Sequence, residues 1–127
     1  RSNSTGAPDN YLNDNYLLQH QEEGAKIMKD FLLQNSTDFK LIDKVVHLIS
    51  KHEVGGDEEQ NALMDADSIS FFETNAERFV TQKAPVEGYD KIKAKLDWMF
   101  NRISSDEHKK IARENYEKWV SELVMYK

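Results

Sequence analysis

The sequence predicts an all-α fold of about five helices, on three observations. Apolar residues recur at intervals of three and four over several long stretches, the spacing of one face of a helix. No segment shows the sustained alternation of a half-buried strand, and no period of about 20 to 50 residues repeats. Turn-forming clusters at Asn35-Ser36, Val54-Gly55-Gly56-Asp57, Lys83-Ala84-Pro85 and Ser104-Ser105 separate the periodic stretches.

Taken in order, residues 1–15 open with RSNSTGAPDN and have the turn-rich, apolar-poor composition of a flexible lead-in, while 16–127 are expected to form one compact helical domain. The first helix runs from Tyr16 to about Gln34 on the apolar positions Tyr16, Leu17, Ile27, Met28 and Phe31, with His20 and Gly24 on the same stripe. A glycine inside a helix costs about 1 kcal/mol relative to alanine, so its place on the packed face predicts a close helix crossing. Thr37 is the expected N-cap of the second helix, with Asp38 in its first turn, and that helix extends to about His52. Its stripe is Leu41, Val45, Leu48 and Ile49 and leads to His52, while His47 lies on the opposite, solvated face.

The glycine pair turns the chain into a third helix, which begins near Asp57 and carries Asp65 and Asp67. A regular helix groups Asp67 with Leu63, Met64 and Phe71, and Asp65 with Ala62, Ile69 and Phe72; periodicity alone leaves open which acid faces inward. After the break at Lys83-Ala84-Pro85, a fourth helix carries Ile92, Leu96, Met99, Phe100 and Ile103. Ser104 or Ser105 caps a fifth, whose inward residues are Ile111, Ala112, Tyr116, Trp119, Val120 and Leu123.

Composition narrows the function. A formal charge of -6 argues against an extended nucleic-acid surface, which needs clustered Lys and Arg to release counterions, although a small phosphate ligand needs only one local basic group. With no cysteine in the chain, thiolate metal sites and cysteine nucleophiles are excluded, and a cytoplasmic location is expected. No apolar run approaches the roughly 20 residues of a membrane span. The chemistry then concentrates in His52 to Phe72, HEVGGDEEQNALMDADSISFF, where ionisable groups lie among Leu63, Met64, Ile69, Phe71 and Phe72. Imidazole and carboxylate donors from several helices suit a divalent ion such as zinc, iron or manganese, which makes His20, His52 and Asp65 or Asp67 the candidate ligands.

The blocks HQEEGAKIMKDFLL, LIDKVVHLISKHE, LMDADSISFF and KAKLDWMFNRISSDEHKKIARENYEKWV, in that order, resemble the later part of the HD superfamily of helical metal-dependent phosphohydrolases, over about residues 20 to 120. The resemblance implies an HD-like helical bundle in which Asp67 is the last protein ligand of the metal and Asp65 a supporting acid. It implies that His20 and His52 bind the substrate phosphate or a second ion, and that Lys95 is the basic residue of a phosphate pocket. Manganese, iron, zinc, nickel or magnesium is the implied cofactor, and a small phosphate-containing molecule the implied ligand. Ser70 stands where relatives often carry a further aspartate. No His-Asp dipeptide occurs, since His20, His47, His52 and His108 are followed by Gln21, Leu48, Glu53 and Lys109. The chain is therefore expected to be the C-terminal part of an HD protein, inactive and short of metal by itself, and to cover its exposed apolar surface by forming a homo-oligomer. The other expectation is a non-catalytic helical interaction or ligand-sensing domain.

Overall fold

The computed structural model describes residues 14–35 and 38–127. Among them the fold is all-α, with five helical runs and no strand, and no helix is long and apolar enough to cross a membrane. Of the expected lead-in, residues 1–13 lie outside the described residues, and Asp14 and Asn15 belong to the first turn of α1. The chain divides into two compact units, one ending at Leu63 and the other running from Met64 to Lys127.

In the first unit, α1 spans Asp14–Asn35 and α2 Phe39–Ile49. The buried line of α1 is Leu17, Gln21 and Ala25, one helical turn apart each time, whereas Ile27 and Phe31 are 58% and 57% exposed. The predicted stripe was thus rotated, and the reason is Gln21. Its Oε1 accepts the backbone N–H groups of Glu53 at 2.8 Å and Val54 at 3.3 Å, so a polar side chain that a hydrophobic pattern passes over is buried with its hydrogen bond made. Gly24 does lie against α2, but a Cβ added there would meet Ile49 Cγ2 at 3.8 Å, an ordinary van der Waals contact. The crossing therefore does not require a glycine.

The N-cap of α2 is Asp38, whose Oδ1 accepts Leu41 N–H at 3.1 Å; the expected cap, Thr37, lies outside the described residues. Ile42 carries the buried face and Leu41 is 51% exposed, while Val45, Leu48 and Ile49 of the expected stripe are half-buried. α2 also stops at Ile49, short of His52. The chain tightens there through His52 N–H to the Ile49 carbonyl and Gly55 N–H to the Lys51 carbonyl, and Gly55 takes a φ of 80° that favours glycine. His52 is consequently a turn residue.

α3, Glu58–Ser70, starts from a reciprocal cap in which Asp57 Oδ1 accepts Gln60 N–H at 2.8 Å and Gln60 Oε1 accepts Asp57 N–H at 2.9 Å. The Gln60 side chain folds so close over Gly56 that a Cβ there would collide with it. A larger residue there would have to displace the Gln60 side chain from its cap.

In the second unit α3 does not end at Ser70 but passes through a π turn at Phe71–Asn75, α4 at Ala76–Arg78, a second π turn at Phe79–Lys83 and α5 at Ala84–Glu87. The expected break at Lys83-Ala84-Pro85 is absent. Pro85 sits in the first turn of α5, where its missing N–H costs least, and the run ends at Gly88 with φ 97°. Residues spaced by four drift around an α-helix in one sense, and a π turn, holding more residues, drifts in the other. The alternation keeps Phe72, Ala76, Val80 and Ala84 on one buried line, with Phe71 and Phe79 beside it.

α6, Tyr89–Asn101, buries Ile92, Leu96, Met99 and Phe100 as its stripe predicts. α7, Asp106–Leu123, is capped by Ser105, whose Oγ accepts His108 N–H at 3.0 Å. Ala112 and Leu123 are buried on it, but Ile111 is 54% exposed, one position off the inward line. The centre of this unit is aromatic. Phe72 meets Phe71 and Tyr116 edge to face at 5.2 and 5.7 Å, and Tyr116 stacks on Phe100 at 4.3 Å. Burial and the bond that its hydroxyl donates to Asp97 push Tyr116 up to about 12.

Candidate functional site

The predicted residues fall into two groups, one in each unit. In the first, the turn after α2 presents His52 and Glu53, and α1 presents His20 and Gln21 one after the other. His52 Nδ1 lies 2.7 Å from the Ile49 carbonyl, an acceptor only, so Nδ1 carries the proton and donates it. In the neutral ring the lone pair is then on Nε2. That Nε2 is 3.5 Å from Glu53 Oε2, and His20 Nε2 is 3.9 Å from the same oxygen. Both separations exceed a direct hydrogen bond, so the three groups face one another without closing on one another. His20 is steadied from below by Tyr16, stacked at 5.8 Å.

The bond from Glu53 N–H to buried Gln21 fixes the backbone from which Glu53 projects. Sequence reasoning singled out His20 and His52 and missed Glu53. The available signal was its place directly after His52. His47, expected to be solvated, is exposed and pairs with Asp57. The Gln60 backbone N–H and then the His47 ring hold the Asp57 carboxyl below its usual range.

In the second unit the two acids of the Asp-Ala-Asp step part company. Asp65 is the inward one, only 1% exposed, on the same face as Met64, Ser68, Phe71 and Phe72. Its carboxylate accepts Ser104 N–H and Ser104 Oγ–H, each at 2.8 Å, and the His108 Nδ1–H at 2.7 Å. Burial by itself pushes this carboxyl up, but the bonds from His108 and Ser104 outweigh it and hold Asp65 below the usual carboxylate range. Asp67 does not share the face of Met64 and Phe71; its side chain is half exposed and accepts Arg102 Nη2–H at 2.7 Å. Arg102 in turn donates to Ser68 Oγ at 2.7 Å and lies 4.6 Å over Trp98. Lys95 Nζ rests among rings, 5.4 Å from Trp98, 5.7 Å from Phe71 and 5.8 Å from Phe79. Lys91, one turn earlier on α6, pairs with Glu87 at 3.3 Å.

Among the described residues no group of three or more His, Asp or Glu side chains is arranged to hold a metal ion. Asp65 has its oxygens taken by three donors, and Asp67 has Oδ2 taken by Arg102, so neither carboxylate is set out as an open ligand. His52, with Nδ1 tied to a carbonyl and Nε2 bearing the lone pair, does have the preparation of a ligating imidazole. An open cavity of about 400 Å³ bordered by Asp106, Glu107, Lys110 and Arg113 contains none of the predicted residues.

The model of a family described as a domain of unknown function, DUF4202, matches residues 10–124. No curated protein and no solved structure matches the chain.

Proposed function

We propose that this chain, which belongs to the DUF4202 family of domains of unknown function, is the C-terminal portion of an HD-like protein whose parent is a cytoplasmic, metal-dependent phosphohydrolase acting on a nucleotide or other phosphate ester. The observation that carries the reading is the pinned His52 imidazole, its Nε2 turned toward Glu53 beside His20. Two histidines and a carboxylate facing one another are an arrangement that a cation or a protonated imidazole would draw together.

The described residues supply only part of a metal centre, so the primary His-Asp ligands have to come from outside them. A divalent ion, when bound, lowers the pKa of its water and polarises a phosphoryl oxygen. Of this chain's own residues, His52 offers the prepared nitrogen, Glu53 faces both histidines, and the His20 ring can donate to a phosphate oxygen. Asp67 would join the ligand set only by exchanging its bond to Arg102.

The test is metal content by elemental analysis, with manganese-dependent hydrolysis of a generic phosphomonoester, on the chain alone and on the longer parent. The chain alone is expected to hold little metal and turn over little. The parent is expected to hold near-stoichiometric metal and to lose hydrolysis on His52→Ala or Asp67→Ala. A parent without metal, or activity indifferent to both substitutions, overturns the reading.

One set of contacts favours a second reading, a non-catalytic ligand-sensing or interaction domain: Asp65 and Asp67 are both engaged in bonds that tie α3 to the α6–α7 turn. In that case the same substitutions change stability and leave ligand binding unmoved. Under either reading we expect a homo-oligomer, because Ile27, Phe31, Phe39 and Leu41 expose apolar surface on the first unit. A monomeric mass by sedimentation at micromolar concentration contradicts that.

A further inference from the structure

In the second unit, the outer face of α7 carries its charges in a set order. Asp106 and Glu107 stand in the first turn, Lys110 one turn on and Arg113 a turn beyond that, and these four border the open cavity of about 400 Å³. All four are exposed, and so is Ile111, which lies beside Lys110. Asp106 and Lys110 have the four-residue spacing of an intrahelical ion pair, yet among the described residues no ion pair joins any of the four. On α6 the same spacing is closed, with Lys93 and Asp97 paired at 2.8 Å. Arg113 Cζ instead lies 5.6 Å over the Phe100 ring, which steadies the guanidinium from one side and leaves its N–H fork to a carboxylate.

The order of the charges selects the partner. Two carboxylates and two cations cancel, so on a chain with a formal charge of -6 this strip lets two copies approach without net repulsion. A second copy laid parallel sets acid against acid and base against base. Laid antiparallel, about a two-fold axis level with Lys109, it sets Asp106 opposite the partner's Arg113 and Glu107 opposite the partner's Lys110. A helical rise of about 1.5 Å per residue puts each pair within about 1.5 Å of level. Symmetry makes each pair twice, and Ile111 leaves water against the partner's side-chain stems.

We propose that this face of α7 is a two-fold docking surface for a second, antiparallel copy of the chain, held by Asp106–Arg113 and Glu107–Lys110 pairs across the axis. It needs neither the apolar surface of the first unit nor the phosphohydrolase reading. Exposed ion pairs are individually weak and screened by salt, so the contact is reversible and sensitive to ionic strength.

The experiment is sedimentation velocity of the full chain across the micromolar range, without metal or phosphate. It compares the native protein, an all-acidic face made by Lys110→Glu with Arg113→Glu, and an all-basic face made by Asp106→Lys with Glu107→Lys. The native protein is expected to associate reversibly, at least about fivefold more weakly in about 0.5 M than in about 0.05 M sodium chloride. Each double variant alone should associate at least about tenfold more weakly, and an equimolar mixture of the two should associate again, because every facing pair is then of opposite sign. Circular dichroism checks that the variants keep their helix, since lysines in a first turn oppose the helix dipole, and the salt dependence of the native protein needs no variant to fold. A native protein that stays monomeric, a mixture that does not associate, or association indifferent to salt and to both reversals overturns the proposal. The last of these leaves the apolar surface of the first unit as the contact, and none of them bears on the phosphohydrolase reading, which keeps its own test.

Discussion

Asp65 shows how much one side chain can settle. Its carboxylate gathers three donors from the α6–α7 turn and the start of α7, and it holds them from a position that is almost wholly buried. Replacing it with asparagine keeps the shape but turns an amide toward donors, which should cost about 3 kcal/mol in urea unfolding. The pH dependence has a definite sign. The folded carboxyl titrates below its unfolded value near 3.8, so its contribution is complete above that value and is lost as pH falls through the folded one. Stability of the native protein should therefore drop below about pH 4 more steeply than that of Asp65→Asn; parallel acid limbs would show that the carboxylate carries no such linkage. Gly24 makes the opposite case. With 3.8 Å to Ile49 from an added Cβ, Gly24→Ala should stabilise the chain by about 1 kcal/mol, measured as a raised urea midpoint. A loss of stability would mean that the α1–α2 crossing is tighter than that distance implies.

At the scale of elements, the starts were legible and the faces only in part. Ser105 was among the two expected caps of α7, and Asp57 opens α3, because a short polar side chain before an apolar run has one economical use, the first N–H groups of the helix. Ser105→Ala should accordingly cost about 1 kcal/mol by thermal melting, while Ser104→Ala loses the Asp65 bond instead and steepens no acid limb of its own. The buried faces of α1, α2 and α7 were legible in part, with Leu17, Ala112 and Leu123 inside as expected and other members of each line displaced. Gln21, Ile42 and Ala112 sit inside, and Ile27, Leu41 and Ile111 outside. Hydropathy alone does not separate neighbouring stripes on a helix when both carry apolar residues and the deciding member is a glutamine or an alanine. The π turns were not legible either, since their residues have no distinctive local preference and exist to keep Phe72, Ala76, Val80 and Ala84 in line.

For the whole molecule, the two units differ in what fills them. The second holds Phe71, Phe72, Phe79, Phe100 and the half-buried Tyr116, while the buried residues of the first include Gln21 and Gln60 and few large apolar groups. Opening should therefore be local before it is global. Amides of α6 are expected to exchange at least about tenfold more slowly than those of α1 and α2, read by hydrogen exchange with mass spectrometry. Equal protection throughout would mean that the chain opens as one cooperative body.

By itself the sequence determined the all-α class, most helix starts and the stripe of α6, because these follow from local periodicity and capping. Only the tertiary structure decided that Asp65 is the inward acid and Asp67 the partner of Arg102, and that Glu53 stands between two histidines. Each of these depends on which residue a distant segment delivers to a given side chain, and a hydrogen bond or a ring contact between segments leaves no period in the chain that makes it.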